Sequence, residues 1–115
     1  MAARIVQFEI GCRDKTGSAA FYANLFDWRI GGGVNELGLE IADAGLAGHL
    51  VSLGHEPHNY VVLYVEVEDI PTTIAAAEGL GGAKIVGPIP IPGGRRFAWL
   101  KDPEGTIVGL IDAKG

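Results

Sequence analysis

The feature that most constrains this chain is an internal repeat. Gln7 to Asp14 lies over Val62 to Asp69 without a gap, at an offset of 55 residues. In that register Asp14 meets Asp69, Cys12 meets Val67, Leu25 meets Leu80 and Ile30 meets Ile85. Near the ends of the two halves, Gly48-His49-Leu50-Val51-Ser52-Leu53 lies over Gly105-Thr106-Ile107-Val108-Gly109-Leu110. Self-similarity of this kind means that one supersecondary unit has been used twice.

The local signals repeat in the same order. Ile5 to Cys12 is apolar or alternating and reads as a strand. Capping residues follow, and Phe21, Tyr22, Leu25 and Phe26 recur at helical spacing, so a helix starts near Thr16. Trp28 and Ile30 begin a second strand, which Gly31-Gly32-Gly33 is expected to break. Leu37 to Ala42 makes a third and His49 to Leu53 a fourth. In the second half, Tyr60 to Val67 is the most strand-like segment. Asp69 caps a short helix over Ile70 to Glu78, with Pro71 tolerated in its first turn. Lys84 to Ile91 is a strand whose prolines confine its later half to an edge. Arg95 to Lys101 and Thr106 to Ile111 follow, joined by the turn Asp102-Pro103-Glu104-Gly105. These signals give a single domain over residues 1–115, with module one at about 4–54, a linker at about 55–59 and module two at about 60–112.

One such module cannot bury both faces of its own sheet. Two side by side give an α+β fold: tandem β-α-β-β-β modules forming one curved, mixed eight-stranded sheet. Helices cover the convex face, and the concave face is left as a trough, the usual shape of a small-molecule site. The net charge of −5 and pI of about 5.0 argue against nucleic acid and anionic membrane surfaces. No apolar run reaches the ~20 residues needed to cross a bilayer. No signal peptide is visible at the start of the sequence. Cys12 is the only cysteine, so an internal disulfide is excluded and a reduced, cytoplasmic chain is expected.

Several stretches resemble the glyoxalase / bleomycin-resistance / extradiol dioxygenase superfamily, the vicinal oxygen chelate proteins. They are Val6-Gln7-Phe8-Glu9-Ile10, Ala20-Phe21-Tyr22, Leu25-Phe26-Asp27-Trp28, Val65-Glu66-Val67-Glu68-Asp69-Ile70 and, above all, Ala98-Trp99-Leu100-Lys101-Asp102-Pro103-Glu104-Gly105. The resemblance spans nearly the whole chain. It implies the fold just derived and a two-fold homodimer. It does not select among isomerases, dioxygenases, epimerases, resistance enzymes and drug-sequestering binders.

Metal-dependent members of that superfamily place ligands on the first and last strands of each half. Carried over, those positions are Gln7, Ser52, Val62 and Gly109. Two of the four carry no donor atom, whereas a divalent ion takes three or four N, O or S ligands. The expectation is therefore no metal and no cofactor.

The remaining candidates follow from strand alternation. Glu9 shares the face of Gln7, opposite Phe8, Ile10 and Cys12, and is expected to point into the trough. There it is either a general base or a carboxylate held by a neighbouring Arg or Tyr. Leu50 and Ser52 are expected to look the same way. Tyr64 and Glu66 share the face of Val62, and Tyr64 can stack on a ligand and donate a hydrogen bond. Phe97 and Trp99 are either core or the aromatic wall of the pocket. Arg95 either binds an anion or belongs to a solvated loop. His49, His55 and His58 are either solvated imidazoles around a turn or include an acid/base at the rim. Cys12 reads as inert core, and the three glycines lack the ending of a phosphate loop. The leading expectation is a metal-independent binder of an apolar or aromatic compound, using Gln7, Glu9, Leu50, Ser52, Val62, Tyr64, Trp99 and Gly109. The alternatives are a metal-independent enzyme acting on a small carbonyl compound through Glu9 or a His, and a metal-dependent lyase or dioxygenase.

Overall fold

A computed structural model describes residues 2–35, 38–52 and 59–113. Its elements run β1 (Ile5–Gly11), α1 (Lys15–Phe26), β2 (Arg29–Asn35), β3 (Gly38–Ala42), β4 (Ala47–Val51), β5 (Tyr60–Val67), α2 (Ile70–Gly79), β6 (Ala83–Pro90), β7 (Arg96–Lys101) and β8 (Ile107–Asp112). The strand-helix-three-strand order thus occurs twice. The strands form one mixed eight-stranded sheet in the order β2-β3-β4-β1-β5-β8-β7-β6. By packing, the chain divides into a Gln7–Val62 unit and a second unit made of Leu63–Gly115 with Met1–Val6.

Both helices start the same way. The Asp14 side chain accepts a hydrogen bond from the Gly17 backbone N–H at 3.0 Å. Asp69, its repeat partner, accepts one from the Thr72 N–H at 3.2 Å. Each carboxylate satisfies one of the four N–H groups that a helix start leaves without a partner. Asp27 ends α1 in the left-handed region, at φ 61°, and its N–H returns to the Ala23 carbonyl. Gly82 N–H closes the end of α2 onto the Ala77 carbonyl at 2.8 Å.

Within each unit the first and last strands pair in parallel, β1 with β4 and β5 with β8. A parallel pair needs a crossover connection, and here the helix lies on that crossover and covers one face of the unit's sheet. In the second unit Ile70 and Ile74 of α2 pack on Ala98, Leu100 and Leu110. Ile70 is fully buried, and burial of such a side chain stabilises by ~1.5–3 kcal/mol. In the Gln7–Val62 unit the corresponding cluster joins Cys12, Ile41 and Leu50 to Phe8, Ile10 and Tyr22.

Two expectations about strands change. Gly31-Gly32-Gly33 does not break the second strand. β2 runs through it, and the pairing with β3 shifts register between Gly31 and Asn35, with Gly32 at φ 60°. The glycines are spent on that irregularity. The prolines act as expected, because β6 is the last strand of the sheet and its register against β7 shifts twice. Leu37, Leu53, His55, His58 and all but Asn59 of the expected linker lie outside the described residues. No described helix is long and apolar enough to cross a membrane.

The shared cap predicts that Asp14→Ala and Asp69→Ala each lower stability by about 1 kcal/mol in urea unfolding, with Asp→Asn tolerated at both positions. A cap that costs nothing at either site would contradict the assignment.

Candidate functional site

With the helices on one face of each unit's sheet, polar chemistry is sought on the other. Pairing register decides which side chains share it. In the Gln7–Val62 unit Glu9 is opposite His49, and His49 is opposite Glu40. Directly paired residues project from the same face, so Glu40, His49 and Glu9 form a row across β3, β4 and β1. Adjacent members stand one strand spacing apart, ~4.8 Å. Glu9 and His49 are half-buried and Glu40 is exposed.

Tyr60, the first residue of β5, completes this row. Its hydroxyl donates to Glu9 Oε2 at 2.6 Å. Its ring lies over Gly11, where any added Cβ would collide with the ring. Gly11 is two residues on from Glu9 and shares its face, so the missing side chain is what lets the phenol reach the carboxylate. At the other end of the row a shallow depression of about 380 Å³ is lined by Arg29, Ile30, Gly31, Glu40 and Ala42. Gln7 is half-buried and projects beside Glu9 on the same face.

Two sequence expectations are corrected here. Leu50 does not share the face of Glu9. It is fully buried in the helix-side cluster and pairs with Ile10 and Leu39. Ser52 lies one residue beyond β4 and is not the counterpart of Gly109. The shared caps align Glu9 with Tyr64. Glu9 pairs with His49 and Tyr64 pairs with Gly109, so the counterpart of Gly109 is His49. The error has a physical source. The stretch from the helix to the last strand differs in length between halves, and alternation cannot fix where a strand starts when every other residue is apolar or glycine.

The equivalent face of the second unit is filled. Tyr64 is 2 % exposed and Trp99 is 7 % exposed. Trp99 Nε1–H donates to the Tyr64 hydroxyl at 2.8 Å, and Phe97 meets the Tyr64 ring edge-on at 6.4 Å. The Tyr64 ring lies over Gly109, where an added Cβ would strike it. Sequence left Trp99 as either core or pocket wall, and it is buried. Val62, in the Gln7–Val62 unit, is 2 % exposed. Beyond Tyr64, Arg95 donates from Nε to the Asp112 carbonyl at 2.7 Å and from Nη2 to Glu66 Oε2 at 3.3 Å. Arg95 is thus tied to the sheet instead of waving in the Gly93-Gly94 loop.

The donor set can be tested against a divalent ion. Gln7, His49, Val62 and Gly109 offer an amide, an imidazole and two groups without a donor atom, and the Tyr64 ring covers Gly109. That set does not fit a site of four protein ligands. Among the described residues no three of His, Cys, Asp or Glu are grouped to hold a metal. Sequence reasoning missed Tyr60 and the pairing of His49 with Glu9. The four-residue spacing of Tyr60 and Tyr64 signals that the two phenols share a face of one strand. The partner strand of His49 carries no such signal.

Two predictions follow from this geometry. Gly109→Ala should drive the Tyr64 ring out and break its bond to Trp99. The expected loss is ~1–3 kcal/mol in urea unfolding, with a red shift of Trp emission; unchanged stability and emission would refute the packing. Arg96 donates to the Asp112 carboxylate from its backbone N–H at 2.8 Å and from Nε at 2.9 Å. The guanidinium bond, more than any other contact, holds the Asp112 carboxyl below its usual range and raises Arg96. A carboxyl depressed on folding stabilises above its unfolded pKa of ~4 and loses that contribution as pH falls through the folded value. Arg96→Gln should therefore flatten the decline of urea midpoint with acidification below about pH 4. An unaltered slope would show that the pair contributes nothing.

Comparison with known proteins fits this architecture. No family model matches the chain. The chain is 34% identical over 82 residues to "Putative glyoxylase CFP32" of Mycobacterium bovis, which covers 71% of this chain and 31% of that protein. The chain therefore matches about a third of the length of its curated relative. A superfamily member of the glyoxalase/bleomycin resistance protein/dioxygenase group from Vibrio splendidus superposes with a TM-score of 0.68 at 14% identity, over 97% of this chain and 100% of that one. Streptomyces coelicolor methylmalonyl-CoA epimerase, in complex with 2-nitronate-propionyl-CoA, superposes with a TM-score of 0.69 at 18% identity, over 100% and 97% of the two chains.

Proposed function

Starting from a chain that has the fold of the glyoxalase/bleomycin resistance protein/dioxygenase superfamily, we propose that it binds a small organic compound on the helix-free face of its Gln7–Val62 unit without a metal ion. The observation that carries this reading is the 2.6 Å bond from the Tyr60 hydroxyl to a half-buried Glu9, with His49 paired opposite. A carboxylate fixed by a phenol is an oriented acceptor beside an oriented hydroxyl. Partial burial strengthens both, because water competes less for them. Gln7 and the Tyr60 ring supply an amide and an apolar surface beside them. An apolar or aromatic body with one polar group matches that mix. Tyr64, Trp99 and Val62 act as packed support behind the site. In this reading the ligand is sequestered, and the setting is the cytoplasm, where the lone thiol of Cys12 stays reduced.

A second reading is favoured by one further observation, the imidazole of His49 opposite Glu9. A carboxylate and an imidazole on one face can remove a proton from the carbon beside a carbonyl and return one to it. Glu9 would take the proton, and Tyr60 or His49 would steady the charge on the carbonyl oxygen. Coenzyme A thioesters belong among the compounds to test, given what the Streptomyces epimerase holds.

The test is calorimetric titration of metal-stripped protein with planar aromatic compounds and small carbonyl compounds. Binding is expected to survive chelator and to weaken by ~10-fold or more in Glu9→Gln and Tyr60→Phe. Binding that requires added metal would overturn the proposal. Deuterium exchange into a bound carbonyl compound that disappears in Glu9→Gln would establish the second reading; tight binding without exchange would establish the first.

A further inference from the structure

We propose that α1 is a self-association element, whose outer face packs antiparallel against the same face of a second copy of this chain. The two helices of the repeat differ in a way that the fold itself does not require. No residue of α1 is fully buried. Its exposed stripe runs through Gly17, Ala20, Phe21 and Leu25, and Phe21 and Leu25 remain 60% and 58% exposed. At the repeat offset α2 carries Ala76 where α1 carries Phe21. Phe21 is not a stray side chain. Its ring meets Tyr22 edge-on at 5.2 Å, and Tyr22 stacks on Trp28 at 5.9 Å, so the exposed ring is held on a fixed aromatic base. A preorganised apolar patch of this kind marks an interface.

The pattern along the helix identifies the occupant. From Thr16 to Phe26 there is no charged residue. The N-terminal half of the stripe is small and the C-terminal half is bulky. About a two-fold axis at Phe21, Gly17 of one copy meets Leu25 of the other, both four residues from the axis. Hole faces knob twice, and Phe21 meets Phe21. This is the self-complementarity that an isologous interface demands.

The charges agree. Lys15 opens the helix and the Asp27 cap closes it, each six residues from Phe21. In their own helix both signs are wrong, because a helix favours acids at its N-terminus and bases at its C-terminus. Across an antiparallel pair each lies ~9 Å from the axis, at 1.5 Å rise per residue, and Lys15 of one copy comes beside Asp27 of the other. A mismatch within one chain becomes a match between two.

Sedimentation of the 115-residue chain over a broad concentration range tests this. A monomer–dimer equilibrium is expected. Phe21→Glu and Leu25→Glu should each weaken the dimer by roughly 10-fold or more, with melting of the monomer unchanged because both side chains are exposed. Lys15→Glu and Asp27→Lys should each weaken it by roughly 2- to 5-fold, and the double reversal should restore it. A wild-type chain that stays monomeric at every concentration overturns the proposal and leaves the face to a different protein or to further chain. A dimer indifferent to Phe21→Glu, or a double reversal no better than the singles, overturns it as well.

Discussion

The parallel pairing of first and last strands is the constraint on which the rest depends. Two strands cannot lie parallel through a tight turn, so everything between them in each unit must be spent on a crossover. The crossover helix covers one face with Ile70 and Ile74 in one unit and with Tyr22 in the other. The same pairing places the end of each unit beside its beginning. That is why Glu9 and His49, forty residues apart in sequence, stand side by side. The site is a by-product of how the sheet closes its register.

The two units use this arrangement differently. One fills its helix-free face with a tyrosine, a tryptophan and a phenylalanine in mutual contact. The other lines the same face with a carboxylate, an imidazole and a phenol. A duplicated module carries its chemistry twice at first, and here one copy has given up polarity for packing. Val62 and Gly109 show the same trade, since positions that could offer donor atoms offer volume or the lack of it.

Much of the fold was legible in sequence because it rests on local signals. The Asp14 and Asp69 caps, the alternation of β1 and the prolines of β6 each act within a few residues, and each does what its chemistry dictates. The face of Glu9 was legible for the same reason. What escaped is long-range. Leu50 was assigned to the wrong face because β4 is short and its alternation depends on which residue pairs with Ile10. Tyr60 was read as the start of a strand, and only folding brings it over Gly11. The three glycines of β2 could not be resolved into break or bulge, since glycine suits both.

The tyrosine over Gly109 has a consequence for how β5 finds its place. On that face of β8 the residues two before and two after Gly109 are Ile107 and Ile111. If β5 slid along β8 by two residues, every backbone bond would re-form, but the phenol would land on a branched side chain. If it slid by one, the ring would turn to the opposite side of the sheet. The glycine is therefore a notch with one key, and it sets the alignment of a strand whose backbone would accept several.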